Sequence, residues 1–105
     1  MKMVRAIVRP ERETTVADAL ADNGFPAMTK WDVLGRGKQQ GVQVGSQFYE
    51  ELGKTMIMVV VDDDQLEHAS AVIQEAASSG YPGDGRTFVT PVEAAYTLRT
   101  GEAGL

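Results

Sequence analysis

An α+β fold, two β-α-β units sharing one antiparallel sheet, is what the 105-residue sequence predicts, and three observations predict it. Residues 3–8 and 27–34 read as strands with one buried face, and residues 55–61 as a continuous apolar strand. The spacing switches to a helical one twice, after residue 14 and after residue 65. Proline or glycine bounds the first of these helices, and an aspartate run opens the second, which glycine closes.

The elements follow in order. Val4, Ala6 and Val8 alternate with Met3, Arg5 and Ile7, the pattern of a strand with one buried face, and Pro10 ends it. From Thr14 or Thr15, the positions Val16, Ala19, Leu20 and Asn23 form a helical stripe. Thr15 with Asp18 has the spacing of a capping box, and Gly24 stands where a left-handed C-cap belongs. A second strand covers Ala27 to Leu34, with Thr29, Trp31 and Val33 opposite Met28, Lys30 and Asp32.

Periodicity then fails from residue 35 to 53, a stretch with five glycines. So long a connection inside a small domain is usually functional. Thr55 to Val61, the most apolar run, ends in β-branched residues and reads as a central strand. Asp62, Asp63 and Asp64 precede a helix carrying Leu66, Ala69, Val72, Ile73, Ala76 and Ala77, where carboxylates complement the helix dipole. Gly80 closes that helix, Tyr81 to Gly85 form a second glycine-rich loop, and Arg86 to Val89 is a short strand interrupted at Pro91. Ala94 to Arg99 adds a last edge piece.

This order predicts a ferredoxin-like βαββαβ sandwich: one domain over residues 1–105, both helices on one sheet face, and a long loop at residues 35–54 between strands 2 and 3. The other face would carry Trp31 with Met56 or Met58, and an apolar sheet face left open favours oligomerisation.

Composition narrows the function. No apolar run is long enough to span a bilayer, and the first residues do not make a signal peptide, so a soluble cytoplasmic protein is expected. There is no cysteine and one histidine, His68, which removes thiolate nucleophiles and Cys-type metal sites. Ten basic against fifteen acidic residues argue against a general nucleic-acid binder. His68 reads as an ordinary helix residue, and no Ser-His-Asp set is assembled around it.

Eight of the eleven glycines fall within residues 35–53 and 80–85, and each stretch is flanked by cations: Arg36, Lys38 and Lys54 at the first, Arg86 at the second. Backbone N–H groups that converge beside a cation suit a phosphate. The spacing is neither a Rossmann fingerprint nor a Walker A loop, so two plain flexible loops stay an open alternative.

Three motifs in order carry a family resemblance. Gly83-Asp84-Gly85-Arg86-Thr87-Phe88-Val89, with Ser79 four positions before, resembles the C-terminal signature of PII signal-transduction proteins. Gly35-Arg36-Gly37-Lys38-Gln39-Gln40-Gly41 is similar to the base of their T-loop, and Arg99-Thr100-Gly101-Glu102 to their chain ending. The resemblance covers essentially the whole chain. It implies a homotrimer, possibly with a sister PII protein, with ATP or ADP between neighbouring subunits and 2-oxoglutarate bound beside Mg-ATP at the T-loop base.

Residue by residue, it implies nucleotide contacts at Thr29, Gly35, Arg36, Gly37, Lys38, Val60, Gly83, Asp84, Gly85, Arg86 and Arg99. It places 2-oxoglutarate at Gln39, Gln40, Gly41 and Lys54, with Gln39 also a ligand to Mg. Thr97 stands where the family usually has a second cation, which is expected to weaken phosphate binding. Lys38, Gln40, Met56, Met58 and Thr87 are further departures. Tyr49 does not register with the uridylylated tyrosine of the enterobacterial type, so covalent control through it is not expected.

The loop itself resembles the nitrogenase-associated subgroup, which implies a non-catalytic sensor that switches off nitrogenase component one when 2-oxoglutarate is low. Alternatives are a PII-type regulator of an ammonium transporter or another nitrogen-metabolism enzyme, the transporter being the only link to a membrane, and a small ferredoxin-like phosphate-transferring enzyme. The only asparagine, Asn23, sits at a helix end, and His68 is distant in sequence from both glycine loops, which disfavours the enzyme.

Overall fold

The computed structural model describes residues 1–36, 42–44, 47–49 and 51–105. Strand β1 (Lys2–Val8) leads through a 3-10 turn at Pro10–Arg12 into helix α1 (Glu13–Asp22) and then β2 (Thr29–Gly35). Two short strands, β3 (Val42–Val44) and β4 (Gln47–Tyr49), pair with each other, and β5 (Leu52–Val61) follows. A 3-10 turn at Asp63–Gln65 opens α2 (Leu66–Ala77), and β6 (Gly85–Pro91) completes a sheet of order β2-β5-β1-β6. All three pairings in that sheet are antiparallel, the ferredoxin-like topology that the order of elements predicts.

Alternation decides the two faces. Val4, Ala6 and Val8 of β1 pair with Val59, Ile57 and Thr55 of β5, and all six are buried. Val16 and Leu20 of α1, and Ala69, Val72, Ile73 and Ala77 of α2, close the same core. A one-residue register slip would carry every one of these strand residues to the other face. That other face holds Met3, Arg5 and Ile7 of β1 against Val60, Met58 and Met56 of β5. Trp31 pairs with Met56 there and is 43% exposed, so Met56 and Met58 both lie on the open face.

The end of α1 forms as its sequence predicts. Gly24 has φ +92°, Phe25 N–H donates to the Leu20 carbonyl at 2.8 Å and Gly24 N–H to Ala21 at 3.2 Å, a Schellman closure. Its start does not. The N-cap is Arg12, without a side-chain cap, and the Thr15–Asp18 box lies inside the helix because Pro10 begins a helical turn earlier.

Three other boundaries differ. The connection between β2 and β5 contains the β3–β4 hairpin, and β5 begins at Leu52, inside the expected loop, because Gly53 and Lys54 pair with Leu34 and Val33 of β2. Helix α2 ends at Ala77, before Gly80, with Ser78 already extended. Ala94 to Arg99 is not an edge strand. Val92 N–H bonds to the Met1 carbonyl, after which the chain leaves the sheet and closes on itself through a Tyr96–Ala103 bridge.

Candidate functional site at the Val8 end of the sheet

The topology collects the chemistry at one end of the sheet. β1 ends there at Val8, between Thr55 of β5 and Gly85 of β6, while β2 ends at Gly35 opposite Leu52. Arg9, Arg36, Lys54 and the Gly83–Gly85 loop therefore emerge together. Gly85 makes this possible. With φ +114° it lies so close to β1 that a Cβ would be driven into the Ile7 carbonyl oxygen, so only glycine lets the second loop enter the sheet here.

Hydrogen bonds tie the second glycine loop to the two cations. Lys54 Nζ donates to the Gly83 carbonyl at 2.8 Å, and Arg9 Nη2 to the Pro82 carbonyl at 2.9 Å. Arg9 Nε donates to Asp84 Oδ1 at 3.1 Å. The Asp84 carboxylate also accepts from Ser79 N–H at 2.7 Å, Gly80 N–H at 3.0 Å and the Ser79 hydroxyl.

Charge follows from this wiring. The Ser79 hydroxyl and N–H, with Arg9 and Gly80, hold the Asp84 carboxyl far below the usual carboxylate range. Partial burial, then the Arg9 charge, pull the Lys54 ammonium below its ordinary value. Among the described residues no carboxylate lies at ion-pair distance from Lys54, whose hydrogen-bond partner is a neutral carbonyl. Among the described residues, that charge is left for an incoming anion. Lys54 also lines an open cleft of about 410 Å³ with Pro10, Asp32, Val33, Leu34 and Gly53, room enough for a small dicarboxylate.

Behind the site, Thr55 is a buried polar residue of the sheet, and its hydroxyl donates to Glu13 Oε2 at 2.9 Å. Glu13 Oε1 meets Lys30 at 3.3 Å. Those contacts lower the Glu13 carboxyl, as the terminal ammonium and Lys2 lower Asp63. Each depressed carboxyl contributes stability that is complete above its unfolded value, near 4, and lost as pH falls through its folded value. Urea unfolding between pH 7 and pH 3 should therefore show a plateau and then a fall on the acid side. The fall should be shallower in Asp84→Asn, and an equal slope in that variant would contradict this account.

The expected site residues separate into two groups. Gly35, Arg36, Lys54, Gly83, Asp84, Gly85 and Arg86 lie at the Val8 end. Thr29 pairs with Met58 in mid-sheet and Val60 with Met3 near the opposite, Lys2 end, both in open-face register. β6 runs about 20 Å from Gly85 to Pro91 at strand rise, and the segment carrying Arg99 starts from that opposite end. Arg99 stands exposed in a turn held by Gly101 N–H to the Thr97 carbonyl at 2.7 Å and Thr97 N–H to Glu102 at 2.9 Å. Among the described residues no hydrogen bond or ion pair joins that turn to the Val8 end.

Gly37, Lys38, Gln39, Gln40 and Gly41 lie outside the described residues. Arg9 was not legible as a site residue, although a cation just beyond the first strand was the available signal. Glycine-lined backbone, a cation with no carboxylate partner among the described residues and an exposed arginine fit a phosphate or carboxylate ligand in their donor chemistry.

Comparison with known proteins identifies the chain. The family description "Nitrogen regulatory protein P-II" matches residues 1–102. The chain belongs to the P-II family. It is 55% identical over its full length to all of nitrogen fixation nifHD region GlnB-like protein 1 of Methanothermobacter marburgensis. Over the same full coverage it is 51% identical to the protein of that name in Methanococcus maripaludis and 50% to the nifHD1 region protein of Methanosarcina barkeri. Within the P-II family it groups with these nitrogen-fixation-region GlnB-like proteins, as its loop sequence suggested. P-II proteins are regulatory signal transducers and not enzymes, which removes the phosphate-transferring alternative. Among the described residues, no helix is long and apolar enough to cross a membrane.

Proposed function

We propose that this P-II chain is a homotrimeric sensor of ATP or ADP and 2-oxoglutarate in the cytoplasm. In this reading residues 1–105 are one domain, loop 35–54 is the regulatory T-loop, and the target is the component-one enzyme of nitrogenase, with a sister P-II chain as a further possible partner. The observation that carries the reading is the separation of the site residues to two regions of one chain. Arg86, the second glycine loop and Gly35, where the first loop begins, stand at one end of the sheet, and the segment with Arg99 leaves from the other. Two half-sites on one chain are completed when copies associate through the open face of Trp31, Met56 and Met58, which a trimer covers.

The nifHD-region names of the relatives support nitrogenase as the target. Arg36, Arg86 and Arg99 would hold phosphates with the glycine-loop backbone, and Gln39 would complete the Mg coordination. Mg would supply a hard, oxygen-preferring centre for the keto and carboxylate oxygens of 2-oxoglutarate. Gln40, Gly41 and Lys54 would receive the rest of that dianion. Effector and target then compete for one loop conformation, a linkage between two states.

Titration calorimetry tests the reading. 2-Oxoglutarate should bind only when Mg-ATP is present, and light scattering should give a trimer of the 11.3 kDa chain. Gln39→Ala should abolish the 2-oxoglutarate response while ATP affinity stays within about three-fold. Lys54→Ala should weaken 2-oxoglutarate more than nucleotide, by roughly ten-fold or more, the usual cost of losing a charge-assisted hydrogen bond. Equal 2-oxoglutarate binding with and without Mg-ATP would refute the mechanism.

A further inference from the structure

We infer that Asp84 is a positioning residue whose carboxylate closes residues 79–84 into a ring and sets the Pro82 and Gly83 carbonyls against Arg9 and Lys54. The inference rests on the reading of this end of the sheet as the ligand site. Resemblance puts Asp84 among the nucleotide contacts, yet its side chain is turned inward. One oxygen receives Arg9 at 3.1 Å and the Ser79 hydroxyl, and the other receives the N–H groups of Ser79 and Gly80 at 2.7 and 3.0 Å. With four donors engaged, little acceptor capacity remains, and a carboxylate facing a phosphate would repel it.

The ring determines what the cations can do. Arg9 spans it, with Nε on Asp84 and Nη2 on the Pro82 carbonyl, and its guanidinium fills the space beside Gly83, where a Cβ would come within 3.2 Å of Nη2. Asp84 thereby neutralises Arg9 and holds it in place. Among the described residues Lys54 is left with the Gly83 carbonyl, one residue away from Asp84. Opening the ring would free Gly83 and Gly85, both at positive φ, to take other conformations. The backbone N–H groups of the loop would lose their shape as an anion cradle, and Lys54 its anchor. A single side chain thus preorganises both the nucleotide loop and the effector cation.

The isosteric variant Asp84→Asn keeps the volume and removes the charge. In the full-length protein, well below its melting temperature, calorimetry should show Mg-ATP affinity reduced at least ten-fold. 2-Oxoglutarate affinity, measured at saturating Mg-ATP, should fall as well. Ser79→Ala should lower both more modestly, and Ser79→Thr, which retains the hydroxyl, should restore them. Amide exchange at Ser79 and Gly80 should quicken in Asp84→Asn, a readout that needs no ligand. A merely structural role would lower the melting temperature and leave both affinities of the folded protein within two-fold, and that result overturns the inference. Should Asp84→Asn fail to fold, the Ser79 pair decides alone, with identical affinities in Ser79→Ala and Ser79→Thr overturning it. Failure of the unaltered protein to bind either ligand would overturn the functional reading itself, whereas normal binding there with unchanged affinity in the variants sinks only the role of Asp84.

Discussion

Arg86→Ala and Arg99→Ala homotrimers should each lose roughly ten- to a hundred-fold in Mg-ATP affinity, the cost of a charge-assisted hydrogen bond to phosphate. When the two variant chains are co-expressed in equal amounts, binding at the original affinity should return in about one quarter of the clefts. The reason is topological. β6 carries Arg86 next to Ile7 at one end of the sheet, and the chain reaches Arg99 only after leaving the other end beyond Pro91. In the proposed trimer, a cleft between neighbours would take Arg86 from one chain and Arg99 from the next. At random each choice is intact half the time, and both together about a quarter. Thr97, with its neutral side chain two residues before Arg99, would leave that proposed half-site leaning on one arginine, so Arg99→Ala should be the more severe variant. Calorimetric stoichiometry of the mixed trimers measures the recovery. Absence of recovery would mean that both arginines serve one chain's own site.

Gly85→Ala should be the most damaging single substitution for stability, by about 3 kcal/mol or more, because two independent costs coincide. The residue has φ +114°, a conformation that alanine adopts only under strain of order 1–3 kcal/mol. The new methyl would also collide with the Ile7 carbonyl, which is backbone of an inner strand and cannot rotate aside as a side chain would. Relief requires β6 to separate from β1 at the very point where the second glycine loop enters the sheet. The apparent melting temperature should fall by at least about 10 °C, with nucleotide binding lost beside it. Gly80→Ala is the control. It shares a positive φ of 86° but has nothing within 4 Å of a Cβ, so it should cost only the conformational part, about 1 kcal/mol. Equal losses in the two variants would show that close approach to Ile7 contributes nothing.

How much of this was legible in the sequence varies with how local the determinant is. The alternation of Val4, Ala6 and Val8, the apolar run at residues 55–61 and the helical spacing of Leu66 to Ala77 each contain their own element, since burial of one face fixes the period of the pattern. Gly24 gave the end of α1 for the same reason: a left-handed residue is a local demand. The helix start was misread because the Pro10 turn competes with the Thr15–Asp18 pair, and proline at a first helical position outweighs a cap motif. The expected edge strand at Ala94 to Arg99 failed because a strand needs a neighbour to pair with, and its residues cannot show that the sheet has already ended at Pro91.

The sequence by itself determined the fold class, the family, the open face with Trp31, and the two glycine loops with their cations, because residue type and spacing carry all of these. Only the tertiary structure decided that Arg9 belongs to the site, that Asp84 faces inward and that the arginines Arg86 and Arg99 separate to different parts of the molecule. Arg9 and Asp84 are 75 residues apart along the chain, and their contact depends on β1 and β6 being neighbours in the sheet. Lys54 and Gly83 meet because Val8 holds Thr55 on one side and Gly85 on the other. Strand order is set by how all the apolar faces pack at once, a property of the whole chain, so no local motif records which loops will share one end of the sheet.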